Sequence, residues 1–295
     1  MKTLLMVLTL TASLFSATAL VSPKWLADNL KEKKLVIVDI SEKTVYGAEG
    51  HIPGAVQTEI GSWRSGNGTY LTVRSEKAIE TEMRRLGINN DSRVVVYAHI
   101  KTPKDFLKAS YLYWVMQYHG LKNVSLLDGG FEAWVKEGNP ITIQTEKTEQ
   151  GNFSAVRNPK LIADRDYVAG HLGKTPMIDA RPPEYYFGVL PSGGVKRNGH
   201  ISGAMSYFWK YSVDDTYRLK DIAELEAVFG KGLGLKKDKE VIVYCTGGLE
   251  TSFNFFVLQG VLGYQKVRLY DESMKEWGNR DDTPMQQYRW EMFGK

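Results

Sequence analysis

The chain has 295 residues, 43% hydrophobic and 24% charged, with a net charge of +4 from 38 basic and 34 acidic side chains. That composition belongs to a globular protein of two domains and excludes a disordered or fibrous one. With no basic run in the sequence, nucleic-acid binding is set aside as well. The one cysteine, Cys245, excludes an internal disulfide, a CxxC redox pair and a thiolate zinc cage.

At the amino terminus, Met1-Lys2 precedes the apolar stretch Leu4 to Phe15 and then Ser16-Ala17-Thr18-Ala19. A charged start, an apolar middle and a small-x-small ending read as a secretory signal cleaved after Ala19. The apolar run is shorter than the roughly 20 residues that span a bilayer. The remainder offers no other membrane span, so the expectation is an exported protein, periplasmic or secreted. In an oxidising compartment an unpaired thiol is either buried and inert or kept for its reactivity.

From there the chain repeats itself. Ser22 before Pro23 marks the start of a helix through Leu30, answered by Tyr167 to Leu172. Val36-Ile37-Val38-Asp39 is a short apolar strand ending in an acid, as is Met177-Ile178-Asp179. Gly50-His51-Ile52-Pro53-Gly54-Ala55 matches Gly199-His200-Ile201-Ser202-Gly203-Ala204. Helical stretches follow at Ala78–Leu86 and Asp221–Phe229, then the buried-strand runs Val94–Tyr97 and Val241–Tyr244. Further helices at Ala109–Tyr118 and Thr251–Leu262 lead to Leu126-Leu127-Asp128 with Trp134, and to Leu269-Tyr270-Asp271 with Trp277. Alternating strands and helices imply α/β domains, each a parallel sheet with helices on both faces. The polar segment from Thr142 to Asn158 joins them. The expected organisation is a signal at 1–19, a first domain at 20–145 and a second at 146–295.

The two copies disagree at one telling place. Aligning Tyr97 with Tyr244 pairs Ala98 with Cys245. The thiol thus stands at the carboxyl end of a central strand, where parallel sheets bind ligands. Thr246-Gly247-Gly248-Leu249-Glu250-Thr251 follows, a glycine-containing loop running into a helix. Such a loop converges backbone N–H groups on one point, and the helix start adds positive potential. These features predict a thiol pKa below its free value of about 8.5 and a stabilised thiolate or persulfide, with no metal or cofactor.

On these residues the chain resembles the two-domain rhodaneses, the thiosulfate and 3-mercaptopyruvate sulfurtransferases. The carriers are the paired segments at 50–55 and 199–204, Asp179-Ala180-Arg181, the Cys245 loop and Tyr270-Asp271-Glu272-Ser273-Met274-Lys275-Glu276-Trp277, which is similar to the family's YDGSWxEW ending. The resemblance implies an inactive first domain and a catalytic second one. It also implies transfer of a sulfane sulfur from a donor (thiosulfate, 3-mercaptopyruvate or polysulfide) through a Cys245 persulfide to cyanide or a thiol, held by the amides of Thr246 to Thr251. A small donor and acceptor are the implied partners, with a protein sulfur acceptor also open.

Three departures stand against the family pattern. The sixth loop position, usually Thr or Arg, is Glu250; pointing inward it would raise the thiol pKa, and facing solvent it would serve as a helix N-terminal acid, which is the reading taken. The loop lacks the basic residues of thiosulfate-specific members. The donor-binding Arg expected three residues before Gly188 is Tyr185, with Lys196 and Arg197 nearby as alternative positive charges. Arg181 is expected to pair with an acid such as Glu184 and brace the loop, with a substrate-binding role also open. His51, His200, Asp39 and Asp179 recur in both halves and read as turn-fixing residues, Trp134 and Trp277 as core anchors, and His99 as incidental. A Cys-loop phosphatase is excluded because its CxxxxxR arginine is Thr251 here. An exported polysulfide-binding or persulfide-carrier protein with little turnover remains the alternative.

Overall fold

A computed structural model of the protein describes residues 18–66, 68–145 and 147–293. Most of the expected signal segment, residues 1–17, lies outside the described residues.

The first half opens with β1 (Leu20–Val21) and α1 (Pro23–Asn29), started by the Ser22 hydroxyl, which accepts from Trp25 N at 3.1 Å. It continues with β2 (Leu35–Asp39), α2 (Lys43–Ala48), β3 (Ala55–Gln57), a hairpin of β4 (Arg64–Gly66) and β5 (Leu71–Val73), α3 (Glu76–Arg85), β6 (Arg93–Tyr97), α4 (Pro103–Tyr118), β7 (Val124–Leu127) and α5 (Gly130–Lys136). Its sheet runs β1-β7-β6-β2-β3, every pair parallel. The strands are short runs of Val, Ile and Leu because helices cover both faces, leaving no polar side. The strand pairing begins before β1: Ala19 O accepts from Leu126 N at 2.8 Å, and Thr18 O from the Ser125 hydroxyl at 2.6 Å.

The second half repeats the plan with β8 (Ile162–Ala163), α6 (Arg165–Gly170), β9 (Met177–Asp179), α7 (Pro183–Phe187), β10 (His200–Ile201), β11 (Met205–Ser206), α8 (Ile222–Glu226), β12 (Glu240–Tyr244), α9 (Leu249–Phe255), β13 (Lys266–Tyr270), α10 (Ser273–Trp277) and β14 (Met285–Gln286). The sheet order is β8-β13-β12-β9-β11, again all parallel, with β12 in the middle. The helices expected over 221–229 and 251–262 each end in a wider turn, closed by Leu233 N on Val228 O and by Leu262 N on Val257 O, both at 2.9 Å.

The repeated residues do the same work twice. Tyr97 and Tyr244 accept from the amides of Ile52 and Ile201 at 3.1 and 3.2 Å. His51 stacks on Tyr46 and meets its carbonyl, and His200 does so with Tyr186. Trp134 and Trp277 are wholly buried. His99, expected to be incidental, is instead a packed core residue: wholly buried, stacked on Phe131 at 3.8 Å and 3.4 Å from Asp39 Oδ2. Beside an alanine rather than a loop there is room for that ring.

The halves are joined by one apolar core. Helices α4 and α9 pack together, with Phe106 edge-on to Phe253 and Tyr113 edge-on to Phe256. Between them Ser110 and Ser252 share a buried hydroxyl contact at 2.8 Å. Each half also grips the other through one backbone amide: Val73 N donates to Asp271 Oδ2 at 2.8 Å, and Leu219 N to Asp128 Oδ1 at 2.9 Å.

Candidate active site

The end of β12 delivers Cys245, buried to 1% exposure, into a loop that curls back over its own sulfur. The amides of Gly247 and Gly248 donate to Sγ at 3.3 and 3.1 Å. Wholly buried Thr251 lies in the same loop and holds the thiol pKa down. The second glycine is obligatory: its φ is +90°, and a Cβ there would lie 2.1 Å from Asp271 Oδ1.

The loop is braced from behind by the turn after β13. Ser273, at φ +54°, accepts from Cys245 N at 3.1 Å while donating to Tyr270 O at 2.6 Å. Met274 N and Lys275 N then donate to the carbonyls of Cys245 and Thr246 at 3.0 and 2.9 Å. A left-handed conformation at a serine carries a small cost, and the bond to the cysteine amide offsets it. From in front, Ser192 meets Thr246 hydroxyl to hydroxyl at 2.9 Å.

The first half completes the loop. Arg64 of β4 donates through Nη2 to Gly247 O at 2.6 Å and to Leu71 O at 2.6 Å. The same nitrogen is 3.6 Å from buried Asp271, and the guanidinium lies over the Tyr111 ring at 4.5 Å. Tyr111 OH donates to Asp271 at 2.9 Å.

Electrostatics at the sulfur differ from expectation on two counts. Glu250 is half-buried rather than solvent-facing, and its charge acts on the Cys245 thiol. The thiol is not lowered but pushed up to about 11, first by burial and then by the Glu250 charge, which together outweigh the donors from Thr251 and Gly247. Glu250 is itself pushed up to about 7, chiefly by burial and then by Asp179, with Arg181 opposing.

A family model for the rhodanese-like domain matches residues 22–137 and 164–280. The chain belongs to the rhodanese family. Among relatives, the "Sulfur carrier protein TtuD" of Thermus thermophilus is 34% identical over 280 residues, covering 90% of this chain and 95% of that protein. The "Putative thiosulfate sulfurtransferase SseA" of Mycobacterium tuberculosis is 34% identical over 274 residues, covering 90% of each. Of solved structures, the anaerobic ergothioneine biosynthesis enzyme of Chlorobium limicola, in complex with trimethyl histidine, superposes with a TM-score of 0.79 over 91% of this chain and 70% of that one. At 20% identity this likeness is one of fold. The chain is thus a tandem rhodanese of the sulfurtransferase family.

Within this rhodanese, Cys245 and the residues from Thr246 to Thr251 lie in one loop, with Leu249 at the start of α9. Arg181 is wholly buried beside it, but its partners are Asp179, through Nε at 2.9 Å, and Gly199 O at 2.7 Å, rather than Glu184. The short step from strand end to Arg181 folds the guanidinium back onto its own strand. Arg197 is corrected too. It binds Thr283 O and Trp277 O, both at 2.9 Å, so the insertion docks on the C-terminal segment and its guanidinium is spent there. Lys196 is exposed and Tyr185 half-buried on α7; among the described residues no hydrogen bond or ion pair ties either side chain to the loop. The cation lying along the loop is instead Lys275, whose chain would be 3.3 Å from a Cβ at Gly247. Sequence reasoning missed Arg64, although Trp63-Arg64 and Trp209-Lys210 place a basic residue at the same point of both copies.

Proposed function

We propose that this rhodanese is an enzyme that moves a sulfane sulfur from thiosulfate, 3-mercaptopyruvate or a polysulfide through a Cys245 persulfide to a thiophilic acceptor such as cyanide or a thiol. The observation that supports it is the convergence of the Gly247 and Gly248 amides on Sγ at the end of a central strand. Cys245 attacks the sulfane sulfur as a nucleophile, a sulfur–sulfur bond forms, and the donor's bond breaks with its electron pair on the leaving group. The outer sulfur then carries negative charge, which fixed backbone donors favour without reorganisation. The acceptor takes that sulfur and returns Cys245 to its starting state.

The test is a donor panel on the full chain, reading thiocyanate formation together with intact mass. Turnover with any donor, and its loss in Cys245→Ser, is expected; a Cys245 that gains no sulfur from any donor overturns the reading. A persulfide carrier with little turnover is the second reading, favoured by the likeness to a protein named as a sulfur carrier. Sulfur on Cys245 without thiocyanate would select it.

The enzyme is proposed to act outside the cytoplasm, on the strength of the Met1 to Ala19 pattern. Sequencing the amino terminus of the exported chain tests this. Cleavage after Ala19 would remove the carbonyls of Thr18 and Ala19 that pair with β7.

A further inference from the structure

The geometry points to Lys275 as the residue that binds the anionic head of the sulfur donor, so that the loop takes a small donor carrying a sulfonate or carboxylate in preference to one carrying a positive group. This rests on the reading of Cys245 as the sulfur carrier.

The Lys275 stem is held on two flanks. Its amide donates to Thr246 O at 2.9 Å, tying α10 to the catalytic loop. The stem then runs between two glycines: a Cβ at Gly247 would lie 3.3 Å from Cδ and 3.9 Å from Cε, and one at Gly194 would lie 3.5 Å from Cε. Gly247 is the residue whose own amide donates to Sγ at 3.3 Å. Gly194 is fixed in turn, because Asn279 Nδ2 donates to its carbonyl at 2.7 Å and to Lys275 O at 2.8 Å. Ser192 closes the arrangement through its 2.9 Å contact with Thr246. The carbon that bears the ammonium therefore sits between the catalytic loop and the segment in front of it. A stem confined this way has little rotamer freedom left to lose when a ligand binds.

The head, by contrast, is uncommitted. Arg64 is engaged by Gly247 O, Leu71 O and Asp271, Arg181 by Asp179 and Gly199 O, and Arg197 by Thr283 O and Trp277 O. Lys196 is exposed, with no bond to the loop among the described residues. Lys275 is half-buried, and among the described residues its ammonium has neither a hydrogen bond nor an ion pair. Its neighbour Glu276 is taken by the Tyr270 hydroxyl at 2.7 Å. The Arg64–Asp271 and Arg181–Asp179 pairs cancel where they stand, which leaves Glu250 and Lys275 as charges of opposite sign beside the loop. Glu250 opposes an anion at the sulfur, and Lys275 offsets it at the outer end.

Thiosulfate fits that polarity. In-line attack sets its sulfonate on the far side of the sulfane sulfur from Sγ. Once the thiol has lost its proton to water, Cys245-S⁻ and S–SO₃²⁻ give Cys245-S–S⁻ and SO₃²⁻. The new bond joins Sγ to the sulfane sulfur, and the old sulfur–sulfur bond breaks with its electron pair on sulfite. A fixed ammonium at the outer end binds the sulfonate before the step and the sulfite after it.

The test loads the purified full chain in single turnovers with thiosulfate, whose head is negative, and with cysteamine persulfide, whose head is positive. Sulfur gained on Cys245 is read by intact mass against donor concentration. Lys275→Met keeps the stem that packs between the glycines and removes the charge. It is expected to raise the half-saturating thiosulfate concentration on the order of 30-fold, with a smaller change in the limiting rate, and to lower that for cysteamine persulfide. Lys275→Arg should recover most of the thiosulfate loss, and Lys275→Glu should reverse the order of the two donors. Added salt should weaken thiosulfate loading more steeply in the wild type than in Lys275→Met. Equal shifts with both donors, or a wild-type half-saturation in Lys275→Met, would overturn the proposal. Should Lys275→Met fail to fold, the Lys275→Arg and Lys275→Glu pair decides it by the same donor comparison. If the wild-type chain gains sulfur from neither donor, the reading of Cys245 falls and this one with it; if only the donor order fails to respond, Cys245 stands and Lys275 is a brace.

Discussion

Arg64 and Gly247 lie 183 positions apart, and the guanidinium of the first donates to the carbonyl of the second at 2.6 Å. A half without a thiol thus holds the peptide whose amide points at the sulfur. Arg64→Met removes that donor and leaves Asp271 buried without its cation. Breaking a buried pair from one side costs about 3–5 kcal/mol. The expected result is a loss of that size in urea unfolding, with sulfur transfer reduced on the order of ten-fold. A variant as stable as the wild type would show that the link is incidental.

Alkylation of Cys245 should be slow at neutral pH. With the thiol pushed up to about 11, the iodoacetamide rate should climb about ten-fold per pH unit from 7 to 10, following the thiolate fraction. Glu250→Gln removes the charge that opposes the thiolate, so its profile should move to lower pH. A rate already level by pH 8 would contradict both statements.

Glu250 also ties stability to pH. Its folded-state pKa is raised from 4.5 to about 7, so the protonated carboxyl favours the fold. That contribution is complete below about pH 4.3 and is lost as pH rises through the folded value. Glu250→Gln stays neutral throughout. It should match the wild type in acid and be the more stable at pH 8, by up to about 3 kcal/mol and less for the part of the carboxyl open to solvent. Paired denaturation curves at the two pH values decide it; a difference independent of pH would refute the linkage.

Cys245→Ala should fold. The first half carries Ala98 at the matching place, buried to 2% exposure at the end of its own central strand. The cost should be about 1 kcal/mol, with no sulfur taken up from any donor. A loss several times larger would mean that Sγ is needed to hold the Gly247 and Gly248 amides in place.

The central strands β2, β6, β9 and β12 were legible because each carries a continuous apolar run, and the thiol was legible because two copies differ at one residue. The direction of Glu250 was not. In a loop this tight, the side-chain vector is fixed by the positive φ of Gly248 and by the bonds from the Ser273 turn, partners that follow the loop by more than twenty positions. Arg197 misled for a related reason: proximity in sequence to the site counted for less than the Thr283 and Trp277 carbonyls that capture it. Arg181 stood two residues from its true partner, Asp179, and was assigned to one three residues ahead. Arg64 belongs to a different copy altogether, and its match with Lys210 is the one mark the sequence puts on it.

The paired grips of Val73 on Asp271 and of Leu219 on Asp128 are one contact made twice, in opposite directions. Such reciprocity is the form of an isologous interface, in which each subunit presents the same patch to its twin. This rhodanese is in that sense a two-fold dimer tied end to end, and the tie at exposed residues 147–150 raises the local concentration of one half at the other rather than shaping the catalytic loop. A chain nicked there should stay assembled, and diluting the nicked protein should release both halves together.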